Sequence, residues 1–279
     1  MRYGVSTHLY HAERLARAHL AEIAAAGFDA VEIFATRSHV DYHDGAALDA
    51  VGGWITELGL RVHGIHAPIM EAFGRGDRWE GRTFSIAASD QARRREAVQE
   101  ATAALDLARR VPVDVLVVHL GVPRGQQSGP GESKDSTLRS LEEIQRAAEP
   151  LGVRLALEVI PNPLSTPEAL VRLLEEEIAI GGAGVCLDFG HAFLLGDLID
   201  AIEQVSGHLI ATHVHDNNRR EDSHLAPFEG RIEWPPALMA IQKVGYDGTL
   251  LFELADTSTP REVLEKARRA RGRFDQMTI

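Results

Sequence analysis

Short runs of β-branched and apolar residues take turns with Ala-, Leu-, Glu- and Arg-rich segments of helical period, eight times along the chain. That rhythm is the tightest constraint on the fold, because strands joined each time through a helix run parallel to one another. The strand runs are Tyr3–Thr7, Ala30–Phe34, Arg61–His66, Asp114–His119, Arg154–Val159, Gly184–Asp188, Ile210–His215 and Thr249–Glu253. Helices are expected over His11–Ala26, Ala46–Leu58, Asp90–Arg110, Ser136–Leu151, Asp197–Val205, Pro235–Val244 and Arg261–Phe274. Another should start at Thr166-Pro167-Glu168, where a capping threonine precedes a proline in the first helical position. No linker, low-complexity tract or charge block divides residues 1–279, so one domain is expected. The fold class that follows is α/β, a single (β/α)8 barrel of the TIM type. A doubly wound open sheet would usually carry a glycine-rich turn after its first strand. Here that turn reads Ser6-Thr7-His8-Leu9-Tyr10, without glycine.

The longest irregular connection runs from Ala67 to about Ser89 and holds Gly74, Gly76 and Gly81. A loop of that length in a compact protein reads as a lid. A Gly/Pro-rich loop follows at Gly121–Gly131, and a polar segment at Asp216–Arg231. The net charge of −12 disfavours broad binding to nucleic acid, which depends on neutralising phosphates. No apolar run is long enough to span a membrane, and the N-terminus enters a strand without a signal-peptide pattern. Cys186 is the only cysteine and lies within an apolar strand, so no disulfide framework exists. A cytoplasmic location is the expectation.

A barrel of this kind builds its active site at the C-terminal ends of its strands. The residues found there are His8, Glu32, His66, His119, Glu158, Asp188, His215 and Glu253. The loops beyond add His191, Asp222 and His224. Oxygen and nitrogen donors without thiolate suit Mn²⁺, Zn²⁺, Mg²⁺, Co²⁺ or Fe²⁺. In Val185-Cys186-Leu187-Asp188-Phe189-Gly190-His191 a buried strand delivers Asp188, and His191 is expected on the loop leading to the next helix. His213 and His215 share one face of their strand. His215, nearer the strand end, is expected to be the ligand, with His213 one layer deeper in support. Glu158 and Glu253 lie on well-separated strands and could abstract and return a proton next to a carbonyl. Arg219 and Arg220 could bind a substrate phosphate or carboxylate.

Longer stretches carry a resemblance. They are Leu155-Ala156-Leu157-Glu158, Cys186-Leu187-Asp188-Phe189-Gly190-His191-Ala192, His213-Val214-His215-Asp216-Asn217, Asp222-Ser223-His224, Glu229-Gly230-Arg231-Ile232-Glu233-Trp234 and Leu251-Phe252-Glu253. Over nearly its full length the chain resembles the xylose-isomerase-like barrel superfamily of sugar isomerases, sugar and sugar-phosphate epimerases, inosose dehydratases and endonuclease IV. The resemblance to its ketose 3-epimerases implies one divalent metal held by Glu158, Asp188, His215 and Glu253. It also implies that both glutamates are catalytic and that His191 touches substrate; Arg219, His66 and His119 are further candidate substrate contacts. The resemblance to endonuclease IV implies up to three metal ions, with His66, His119, His191, Asp222 and His224 as additional ligands. The pattern departs at Pro227-Phe228-Glu229-Gly230, where Pro-Gly-x-Gly is usual. The function implied is a metal-dependent sugar or sugar-phosphate isomerase or epimerase with a small-molecule substrate. The alternatives are an endonuclease IV-like phosphodiesterase and a keto-sugar dehydratase or lyase. The oligomeric state stays open, a homo-oligomer included.

Overall fold

The computed structural model describes residues 1–74, 78–123, 131–178 and 181–277. Eight parallel strands close into a barrel: β1 (Arg2–Ser6), β2 (Ala30–Phe34), β3 (Arg61–His66), β6 (Val113–Val118), β7 (Arg154–Glu158), β8 (Gly184–Asp188), β9 (Leu209–Val214) and β10 (Thr249–Phe252). Their order around the barrel is β1-β10-β9-β8-β7-β6-β3-β2, and β2 pairs back onto β1. The remaining strands, β4 (Met70–Gly74) and β5 (Arg78–Thr83), form a separate antiparallel hairpin. Both faces of a barrel strand are covered, so these strands read as continuous apolar runs; β8 and β2 are buried at every residue. Inside, Val115, Val117, Ala156, Cys186 and Ala211 form a small apolar cluster. Outside the strands, a larger core packs them against the helices.

The helices among the described residues are α1 (Arg17–Ala25), α2 (Gly45–Glu57), α3 (Gln91–Ala104), α4 (Lys134–Ala148), α5 (Pro167–Arg172), α6 (Phe189–Leu195), α7 (Leu198–Gln204), α8 (Trp234–Lys243) and α9 (Pro260–Met277). None is long and apolar enough to cross a membrane. The start expected at Thr166 is present, with the Thr166 hydroxyl accepting from the Ala169 N–H. Three expectations change. The first helix begins at Arg17 rather than His11, because Thr7–Tyr10 form a buried 3-10 turn capped by Ser6. His11 then folds back to bond the His8 carbonyl through Nδ1 at 2.6 Å. The connection expected to be irregular between Ala67 and Ser89 contains the β4–β5 hairpin. Gly81 takes φ 79° there, while Gly76 and the middle of the Gly121–Gly131 loop lie outside the described residues. A helix also begins directly after β8, so His191 sits in the first turn of α6 instead of on a loop.

The segment between β9 and α8 is built around one side chain. Asp216 is fully buried, and its carboxylate accepts from four donors. Oδ1 takes the N–H of Asn217 (2.9 Å) and Ile232 (3.0 Å); Oδ2 takes the N–H of Phe228 (3.0 Å) and the Trp234 indole (2.9 Å). Gly230 must be glycine, since a Cβ there would run into Oδ1 of Asp216 and the Asn217 backbone. Among the described residues, the non-glycine positions with positive φ all fall in this segment: Arg219 (65°), His224 (40°) and Phe228 (76°). Phe228 occupies the glycine position of the usual Pro-Gly-x-Gly pattern, and its ring packs 6.0 Å from Trp234 and 5.6 Å from Phe274 of α9. Asp216→Ala should destabilise the protein by about 3 kcal/mol or more, since each buried donor left unsatisfied costs roughly 1–3 kcal/mol. Urea unfolding measures this; a loss under about 1 kcal/mol would mean the loop holds its shape without the carboxylate.

Candidate active site at the carboxyl end of the barrel

Glu158 ends β7, Asp188 ends β8, His213 lies within β9 and Glu253 follows β10. One donor atom from each falls within 4.8 Å of those of the other three, and all four residues are buried. His213 organises the group. Its Nδ1 lies 3.2 Å from Glu253 Oε2, 3.3 Å from Glu158 Oε1 and 3.9 Å from Asp188 Oδ2. Its Nε2 donates to Glu32 Oε2 at 3.0 Å. Nδ1 of His213 and Oε1 of Glu158 make no hydrogen bond although both are buried. Orphaned polar atoms aimed at one point are what a cation would satisfy.

This places His213, not His215, opposite the glutamates. His215 follows the last residue of β9, where the chain has left the sheet. Its ring lies against Gly190, where any Cβ would collide with it. It stacks on His224 at 3.9 Å and bonds Asp188 through Nε2 at 3.0 Å. His215 thereby joins His191, Asp222 and His224 in a second group of donors. A third group holds His66, His119 and Glu158. Nε2 of His119 and of His66 approach Glu158 Oε2 at 2.9 and 3.3 Å, so Glu158 belongs to two groups.

Asp188 has a second role that its sequence context could have signalled. It caps α6, accepting the His191 N–H on Oδ1 at 2.7 Å. That fixes His191, whose Nδ1 reaches the Val159 carbonyl at 3.1 Å and whose Nε2 meets Asp222 at 2.8 Å. Asp222 in turn meets His224 at 3.2 Å. Above these groups opens a cavity of about 550 Å³ lined by His66, His119, Glu158, His191, Glu253 and Arg219, among others. Arg219 stands at its rim, with its guanidinium 4.8 Å above the Phe193 ring and one N–H on the Gly196 carbonyl at 2.9 Å. Arg220 also lines the cavity.

Burial alone would push these carboxylates up and these imidazoles down. For Glu158 burial is outweighed by His119 and His213, and its pKa falls well below the carboxylate range. Asp188 and Asp222 are lowered against burial by His191 in the same way. His191 and His213 rise well above the usual imidazole value despite burial, His191 through Asp188 and Asp222. His224 is lifted to about 10, burial being overcome by Asp222. His8 and His119 are lowered instead: burial, with its neighbour His224, holds His8 well below the imidazole range, and burial pulls His119 down despite Glu158.

The sequence model of the xylose isomerase-like TIM barrel family matches residues 20–273. The chain is 27% identical to the uncharacterized protein MJ1311 of Methanocaldococcus jannaschii, over 95% of this chain and 89% of the relative. It is 24% identical to the fructoselysine 3-epimerase of Escherichia coli O157:H7, over 89% of this chain and 88% of the relative. The crystal structure of a D-tagatose 3-epimerase-like protein superimposes with a TM-score of 0.79 at 25% identity, covering 100% of both chains.

The shifts fix the sign of a pH effect. Imidazoles with raised pKa hold protons at neutral pH, and a cation must displace those protons to gain the lone pairs. Adding Mn²⁺ or Zn²⁺ to metal-free protein at pH 7 should therefore release protons, and apparent affinity should rise with pH, since His213 is raised well above the usual imidazole value. Calorimetric titration in buffers of different ionisation enthalpy reads the release. Binding without it would mean that the histidines take no part.

Proposed function

We propose, from the premise that the chain belongs to the xylose isomerase-like TIM barrel family, that it is a divalent-metal-dependent isomerase or epimerase of small sugars or sugar phosphates. The observation that carries this reading is the convergence of Glu158 and Glu253 with Asp188 and His213. The two glutamates come from β7 and β10, with β8 and β9 between them. They can therefore address one bound substrate from different sides. Glu158, Asp188, His213 and Glu253 would hold the cation. Bound there, it supplies an electrophile for the substrate carbonyl. One glutamate takes the proton from the adjacent carbon, and the other returns a proton to the enediolate. His191, held by its helix cap and by Asp222, and Arg219 at the rim orient the sugar. His66 and His119 flank Glu158 as substrate contacts or as further ligands. The relatives named as epimerases support the same chemistry.

A specific observation favours a second reading. Glu158 is shared by two donor groups, and His191, His215, Asp222 and His224 form another. Three such groups fit a multinuclear phosphodiesterase that attacks with metal-activated hydroxide. The net charge of −12 weighs against a nucleic-acid substrate. The keto-sugar dehydratase reading begins with the same proton abstraction and differs in the fate of the enediolate.

Incubation with candidate ketoses in D₂O separates these readings. Deuterium should enter next to the carbonyl, and Glu158→Gln and Glu253→Gln should each lower turnover by at least about 100-fold, the lower bound for a lost acid or base. Cleavage of abasic DNA without exchange into any ketose would replace this reading with the phosphodiesterase. Exchange accompanied by loss of water from the sugar would identify the dehydratase.

A further inference from the structure

Glu32 is fully buried in the barrel and lines neither the cavity nor any of the three donor groups. A buried carboxylate must be satisfied, and both oxygens are. Oε1 accepts from the Ser6 hydroxyl at 3.0 Å, and Oε2 accepts from His213 Nε2 at 3.0 Å. Ser6 is itself held at the end of β1, where its oxygen caps the turn that follows by accepting the His8 N–H at 3.2 Å. The strand β3 makes room for this carboxylate. Gly64 packs against it, and a Cβ there would come within 3.2 Å of Oε2. A carboxylate only accepts, so the proton it receives must be on Nε2 of His213. That leaves Nδ1 as the atom facing Glu158, Asp188 and Glu253.

We propose that Glu32 is a positioning residue for the cation site, orienting the His213 ring and placing its proton on Nε2 so that Nδ1 offers its lone pair to the point shared by the three carboxylates. Ser6 completes the device by anchoring the other oxygen. The inference rests on the reading of that point as a metal site, and it concerns a strand, β2, that contributes no donor to the three groups.

Glu32→Gln keeps the shape of the side chain but removes the charge and can turn an amide N–H towards His213. Loss of such an outer partner typically weakens metal binding about 10–100-fold. The expected result is that fall in Mn²⁺ affinity by calorimetric titration, with an altered visible spectrum of the Co²⁺-loaded protein. In the Zn²⁺-loaded wild type, the ¹⁵N resonances of His213 should show a protonated Nε2 and a ligated Nδ1, a pattern that Glu32→Gln disturbs. Ser6→Ala should weaken Mn²⁺ by a smaller factor, and it decides the matter alone if Glu32→Gln does not fold. A variant that melts lower but binds Mn²⁺ as tightly, with unchanged Co²⁺ spectrum and His213 resonances, would show Glu32 to be structural filling and overturn the inference. Wild-type protein that takes up no divalent ion would sink the metal reading, and this inference with it.

Discussion

Carboxylates crowd the carboxyl end of this barrel: Glu32, Glu158, Asp188 and Glu253 are buried, and Asp222 stands at the rim with its side chain 37% exposed. Taking each of the four buried ones out of water costs several kcal/mol even after the surroundings relax. The fold places them beside seven histidines (His8, His66, His119, His191, His213, His215 and His224) and gives them no lysine. Imidazole suits this task because it can hold a proton or surrender its lone pair to a cation as conditions require. The layer beneath is different in kind: Val115, Val117, Ala156, Cys186 and Ala211 are small and apolar. The barrel therefore divides into a closed apolar base, which secures the strands, and a charged mouth whose parts compensate one another.

Much of this was legible in the chain. Eight strand–helix units prescribe a closed parallel sheet, and Glu158, Asp188 and Glu253 stand at strand ends where period and composition place them. The choice between His213 and His215 was not legible, because alternation puts both on one face and does not say where the strand stops. Val214 is the last strand residue, so the deeper histidine faces the carboxylates and the outer one turns towards Asp222 and His224. The role of Asp188 as a helix cap was available in Asp188-Phe189-Gly190-His191, since aspartate three residues ahead of a bonded N–H is a capping signal. The partnership of Glu32 with His213 was out of reach, as it joins residues 181 positions apart on strands that are not neighbours. The hairpin β4–β5 escaped because its glycines read as turn-formers without a clear alternating pattern beside them.

The segment from Asp216 to Trp234 carries Arg219, Asp222 and His224 to the mouth, and it holds three non-glycine residues in the left-handed region. Such residues cost of order 1–3 kcal/mol each and persist only where their surroundings over-determine them. For Arg219 and His224 those surroundings include hydrogen bonds to Gly196, 23 positions back, and to Glu253, 29 positions on. For Phe228 they reach further along the chain. Its ring is covered by Phe274 and by the Arg273 guanidinium, 3.3 Å from the ring centroid, both on α9. During synthesis the loop leaves the ribosome before α9 does, and until α9 docks the left-handed phenylalanine has only its bond to Asp216 and its contact with Trp234. The pairing of β10 with β1, which closes the sheet, also waits on late chain. The charged loop and the closing seam of this barrel are thus secured by the same C-terminal portion of the chain, which also brings Glu253, so a fragment ending before β10 would lack both the geometry of the mouth and one of its carboxylates.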